Sequence, residues 1–243
     1  MASNLITCPP AVSPWQFKDL NDGYYNSWVQ YSDTLFDYRW REAIDTVKPD
    51  IIEIITWNDF PESHYIRDLP PMSGPASTYL GDSGNYVYGI DHSAWRIIAQ
   101  YYISWYKNGR PPKVQSDRVV FWYRIHPKLV PCANGNNQAA GTPPVRNANN
   151  PADAVFAWAL VRERANISMT VGSNVNWQFT ADPGSPVLNM VPFPADLGSG
   201  VIPMVSVVRH GVTTATGNGS VPITQQCAYQ NYNPVVALAG PGL

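Results

Sequence analysis

The sequence predicts an α/β segment followed by an all-β one, on three observations. Helical and apolar-strand patterns alternate up to about residue 130, a stretch of Asn, Gly, Pro and Ala runs from 131 to 151, and short Val-, Trp- and Phe-rich runs follow. Residues 1–130 are therefore expected to form (β/α) units, 131–151 a linker or long surface loop, and 152–243 a β-sandwich domain.

Between Asp33 and Val47, the residues Leu35, Phe36, Trp40, Ala43, Ile44 and Val47 recur at three and four positions, the stripe of an amphipathic helix. It feeds Ile51-Ile52-Glu53-Ile54-Ile55, which after Pro49-Asp50 reads as a strand buried on both faces, as in a parallel sheet. A second helix is expected from Ser93 or Ala94 to Tyr106, with Trp95, Ile98, Tyr102 and Trp105 on one stripe and Lys107-Asn108-Gly109 as its stop. Arg118 to Ile125 reads as another buried strand, and Ser13-Pro14-Trp15 as the end of an earlier one. Beyond the linker, strands are expected at 154–160, 166–171, 174–180, 187–191, 201–209 and 222–224, separated by Gly, Pro and Asn turns. Trp158 is expected in their core, with Trp177 or Tyr232 as a platform for polysaccharide.

The chemistry is expected where the Ile51–Ile55 run ends, in Trp57-Asn58-Asp59-Phe60-Pro61-Glu62-Ser63-His64-Tyr65. A polar, aromatic loop after a buried strand is how barrels build active sites, and two carboxylates can divide the acid and base work of glycoside hydrolysis. Trp57 and Tyr65 add faces on which sugar rings stack. The same Asp-x-x-Glu spacing also serves as a helix cap with its capping-box partner, and spacing alone leaves both readings open.

The segment WNDFPESHYI resembles the WND-x-GESHY segment of glycoside hydrolase family 71, the fungal α-1,3-glucanases or mutanases. Ala11-Val12-Ser13-Pro14-Trp15-Gln16-Phe17, Asp91-His92-Ser93-Ala94-Trp95-Arg96, Trp105-Tyr106-Lys107-Asn108-Gly109 and Phe121-Trp122-Tyr123-Arg124 follow in the family's order, so the resemblance runs from about Pro10 to the C-terminus. It implies a partial (β/α) TIM-type barrel joined to a C-terminal β-domain, with hydrolysis of α-1,3-glucosidic bonds as the activity. It also implies Asp59 as the water-activating base and Glu62 as the acid, in an inverting mechanism whose carboxyls stand roughly 6.5–9.5 Å apart. Trp57, Asn58, His64 and Tyr65 become candidates for sugar contact, as do His92 and Trp95 from the next loop. Pro61 stands where the family has Gly, and a fixed φ at that position is expected to re-aim the loop.

A barrel of eight strands takes about 250 residues, so the segment before the linker is expected to hold only the rear of one, with an uncovered edge near Val12. A catalytically inactive carbohydrate-binding protein is the alternative that this shortfall raises. Charged residues are 14% of the chain, against roughly 25% in an average protein, and aromatic residues are 12%, a balance that suits an extracellular carbohydrate-handling protein. The net charge of −2 gives no field for nucleic acid or an anionic membrane, and no apolar stretch is long enough to span one. Met1 to Pro10 shows no signal peptide, although the family is secreted. The four histidines His64, His92, His126 and His210 have no paired spacing, so no metal or other cofactor is expected, and the partner is a polysaccharide met by a monomer. Asn166-Ile167-Ser168 and Asn218-Gly219-Ser220 are glycosylation sequons. Of three cysteines, Cys132 at the linker entrance and Cys227 near the end are expected to bridge, leaving Cys8 free.

Overall fold

The computed structural model describes residues 10–20, 26–71, 80–133, 145–173 and 175–243; Cys8 and most of the expected linker lie outside them. Strand β1 (Ala11–Val12) leads to the hairpin β2 (Phe17–Asp19) and β3 (Ser27–Val29). Helix α1 (Leu35–Arg41) continues as a π-helical segment, Glu42–Val47, which stops at a left-handed Lys48. Strand β4 (Glu53–Ile54), helix α2 (Gly84–Val87) and helix α3 (Trp95–Asn108) complete this part. Both expected long helices form, and α3 ends at Gly109 with φ 66, where the missing Cβ makes the left-handed cap cheap.

Eight longer strands follow: β5 (Arg118–Arg124), β6 (Ala154–Leu160), β7 (Ala165–Val171), β8 (Val175–Ala181), β9 (Val187–Pro192), β10 (Pro203–Arg209), β11 (Val212–Asn218) and β12 (Pro234–Ala239). They form two antiparallel sheets in the orders β12-β5-β6-β9 and β11-β10-β7-β8. The protein is thus mostly β, with few helices and no closed barrel among the described residues.

Alternation within β5 and β6 explains the layering. Val119, Phe121 and Tyr123 with Val155, Ala157 and Ala159 share a core with Ile167, Met169, Val205 and Val207 of the other sheet. Val120, Trp122, Phe156 and Trp158 point the opposite way, into a core with Trp15, Phe36, Trp40, Trp95 and Tyr102. The β12-β5-β6-β9 sheet is therefore a middle layer, covered on one face by the helical part and on the other by the second sheet. Trp158 is fully buried as expected, and its indole N–H donates to Asp37 at 2.9 Å.

Several expectations are corrected. The Ile51–Ile55 run yields only the two-residue β4, paired in parallel with β1, and Ile51 is 66% exposed. A strand with a single partner and one packed face does not bury both sides. Val12, expected at an uncovered edge, is fully buried. Arg118–Arg124 does form a buried strand, but it pairs antiparallel with β6 and β12 and lies at the centre of a sheet built mainly by the later chain. Residues 222–224 make only a bridge from Ile223 to Val201, while β11 and β12 were not anticipated. Tyr232, expected as a platform, is buried with its hydroxyl on the Lys128 carbonyl; Trp177 is 48% exposed. The expected Cys132–Cys227 bridge is present.

Candidate active site

The acidic loop leaves β4 and returns on itself. The Thr56 N–H donates to the His64 carbonyl at 2.9 Å, and the Trp57 carbonyl accepts from Ile66 and Arg67. Phe60, Pro61, Glu62 and Ser63 turn tightly between these ties, and the Ser63 N–H reaches the Phe60 carbonyl at 3.0 Å. Pro61 cannot take a positive φ, and the left-handed residue of the turn is Ser63 at φ 60. Two outside groups hold the turn: the Tyr86 hydroxyl on the Pro61 carbonyl at 2.6 Å, and the Phe17 N–H on the Glu62 carbonyl at 3.0 Å.

Asp59 Oδ1 accepts the Glu62 N–H at 3.2 Å, the bond of a helix cap, but a turn follows instead of a helix. The cap bond uses one oxygen only, and the second, Oδ2, lies 2.9 Å from His64 Nε2. Glu62 Oε2 is 3.7 Å from the same nitrogen, and Glu62 Oε1 is 3.7 Å from Lys18 Nζ. His64 is buried beneath two partly exposed carboxylates, and one ligating atom from each of the three lies within 4.8 Å of the others. The His64 Nε2 atom faces both carboxylates. Among the described residues this trio is the group able to hold a cation, and Lys18 and His64 already supply partners to the carboxylates.

Trp57, 55% exposed, and the exposed Asn58 directly precede Asp59 and stand open to solvent. Tyr65, His92 and Trp95 do not. All three are buried, and a side chain without solvent access cannot meet a polysaccharide arriving from water. Trp95 packs on Phe36 and Trp122, with ring centroids 5.7 and 4.8 Å away. Tyr65 stacks on His92 at 4.0 Å, donates its hydroxyl to the Ile90 carbonyl at 2.6 Å and receives Asn233 Nδ2 at 3.1 Å. These residues are the floor beneath the loop.

His92 lies between two carbonyls, with Nδ1 3.1 Å from that of Tyr65 and Nε2 3.0 Å from that of Pro234 on β12. Burial outweighs both contacts and pushes its pKa from 6.5 down to about 4, so the folded protein holds the neutral ring, which donates to one carbonyl. The unfolded chain binds a proton at this residue below about pH 6.5, whereas the folded chain waits until about 4. Stability is therefore expected to fall as pH drops through that window, by on the order of 3 kcal/mol from this residue. Burial lowers the His126 pKa as well, which adds in the same sense. Thermal melting from about pH 7 to about pH 4 checks this, and His92→Gln is expected to flatten the slope.

Lys18, Tyr86 and Asn233 support the site without having been anticipated. Lys18 directly follows the Trp15-Gln16-Phe17 segment and could have been found by extending it one residue. Asn233 bonds the Tyr86 carbonyl at 3.0 Å as well as Tyr65, from 147 and 168 positions away, and no local pattern announces it.

A carboxylate pair gathered on a histidine, with an open indole face beside it, suits the acid–base cleavage of glycosidic bonds. The chain belongs to glycosyl hydrolase family 71, whose model it matches over residues 8–241. It is 30% identical over 228 residues to a mutanase of Penicillium rubens, covering 93% of this chain and 46% of that protein. It is 33% identical over 223 residues to glucan endo-1,3-alpha-glucosidase agn1 of Schizosaccharomyces pombe, covering 91% and 47%. An ascus wall endo-1,3-alpha-glucanase of the same yeast is 22% identical over 213 residues, covering 84% and 46%. The chain spans about half the length of these relatives. No solved structure matches it.

Proposed function

We propose that this chain supplies the acid–base turn of an enzyme that hydrolyses α-1,3-glucosidic bonds in a fungal wall polysaccharide. The observation that carries the proposal is the Asp59–His64–Glu62 group, on a partly exposed turn beside Trp57, in a chain of this family. Asp59, hydrogen-bonded through both oxygens, is the water-activating carboxylate, and Glu62, the more freely placed of the two, delivers the proton to the leaving oxygen. His64 orients the pair, while Trp57 and Asn58 meet the sugar.

We further read β1, β4 and the helices as the rear of a (β/α) barrel, and the two four-stranded sheets as a sandwich. In this reading the protein is a secreted monomer; no described helix is long and apolar enough to cross a membrane. The alternative, a catalytically inactive carbohydrate-binding protein, draws on the exposed Trp177, whose indole N–H is fixed on Asn189 at 3.1 Å. Reducing-sugar release from α-1,3-glucan, with β-1,3-glucan as control, separates the two: the enzyme releases sugar from the α-linked polymer alone, and the binding protein retains glucan without release. Trp57→Ala is expected to raise KM about three- to ten-fold with kcat little changed, because it removes a stacking face and no proton-transfer group.

A further inference from the structure

The two sequons, 52 positions apart in the chain by their asparagine numbers, come together on one surface. In β7 the residues Ala165, Ile167, Met169 and Val171 are buried, so Asn166 and Ser168 point outward from the β11-β10-β7-β8 sheet. In β10, Val205 and Val207 are buried, which turns Met204 and Val208 outward. Register then places Asn166 opposite Val208, and Asn218 of β11 opposite Met204. Both asparagines are exposed on the same face, two strands and four residues apart, or roughly 10 Å across and 13 Å along.

We propose that Asn166 and Asn218 are N-glycosylation sites, each carrying an oligosaccharide, and that the pair screens this outer face. The acceptor geometry suits it. Thr180 donates its hydroxyl to Asn166 Oδ1 at 3.2 Å, a bond that survives when Nδ2 carries the sugar. In the second sequon Gly219 is held so close against the Tyr123 ring that a Cβ there would collide with the phenolic oxygen. Its N–H is fixed on the Pro203 carbonyl at 2.8 Å, so the glycine anchors the turn while Asn218 and Ser220 stay in solvent. The Cys132–Cys227 bridge is an independent mark of maturation in an oxidising compartment, the route in which asparagine-linked sugars are attached.

What the glycans would cover also fits. The outward side chains of β7 and β8 are uncharged, among them Asn166, Ser168, Asn176, Gln178 and Thr180, and Met204 stands 40% exposed between the two sites. The edge strand β11 carries neither Lys nor Pro, the usual guards against edge-to-edge pairing. In the transfer itself, Nδ2 attacks C1 of the first N-acetylhexosamine of a lipid-diphosphate-linked oligosaccharide. The C1–O bond to the diphosphate breaks, the lipid diphosphate leaves with the electron pair, and the amide gives up one proton.

The test is to direct the chain through the secretory route of a yeast host, and to map its peptides with and without peptide-N-glycosidase in oxygen-18 water. The expected result is hexose-rich glycopeptides at both positions, converted by the glycosidase to isotope-marked aspartate. Asn166→Gln, Ser168→Ala, Asn218→Gln and Ser220→Ala should each remove one glycan. An unmodified asparagine at either position in the secreted, disulfide-bonded protein overturns the assignment there. The wild-type map decides even where a variant fails to fold, and no step depends on hydrolysis, so the proposal stands or falls apart from the catalytic one.

Discussion

Asp59→Asn or Glu62→Gln in a complete version of this protein is expected to lower sugar release from α-1,3-glucan by about 10²–10⁴-fold or more, with the fold retained. Both replacements keep the side chain's size. In the Asp59→Asn variant the remaining amide oxygen would still accept the Glu62 N–H, so the turn should hold its shape while losing a carboxylate able to take a proton from water. In the Glu62→Gln variant the new amide would keep its place near Lys18 without an acidic proton to give. Circular dichroism and melting temperature confirm folding, and kcat measured beside KM separates chemistry from binding. Near-normal turnover in either folded variant would remove that residue from the catalytic pair.

Opening the Cys132–Cys227 bridge is expected to cost up to about 4–5 kcal/mol, because its two ends are 95 positions apart and a long loop restrains the unfolded chain strongly. The loss should be felt at the site as well. Residues just past Cys227 reach the N-terminal part at several points: the Tyr229 hydroxyl on Asp19 at 2.6 Å, Asn231 on the Tyr86 carbonyl at 3.1 Å, and Trp15 Nε1 on the Tyr232 carbonyl at 2.9 Å. Tyr86 in turn holds the acidic turn through Pro61. Urea unfolding of Cys132→Ser and Cys227→Ser, singly and together, should show the loss, and the double variant should cost no more than either single if the bridge is the cause.

The parts legible in the sequence were those written locally. The stripe from Leu35 to Val47 and the Gly109 stop each lie within a few residues of what they specify, and both helices appear. Strand β5 was legible as buried and misleading as to partner. Burial on both faces marks any middle layer, and here the covers are helices on one side and an antiparallel sheet on the other. Strand β11, with three Thr and a Gly, has too little apolar character to stand out, and β12 is a short run enclosed by loops. At the site, Asp59 and Glu62 were visible because their spacing lies within one turn. Polar residues in a motif, Tyr65 and His92 among them, read as facing the substrate. Their hydrogen bonds end on Ile90, Pro234 and Asn233 instead, and only the three-dimensional structure shows a polar floor.

The central place of β5 also bears on the order in which the molecule can assemble. It is synthesised well before one of its two neighbours in the sheet, β12, with which it pairs from Val119 with Ala239 to Arg124 with Pro234. The Trp15 indole likewise waits for a carbonyl 217 positions later. Contacts this distant in sequence make closure slow relative to helix formation, on the scale of milliseconds to seconds. Helices α1 and α3 can form while synthesis continues, but the layer they cover, and the floor under the acidic turn, must wait for β12 to arrive.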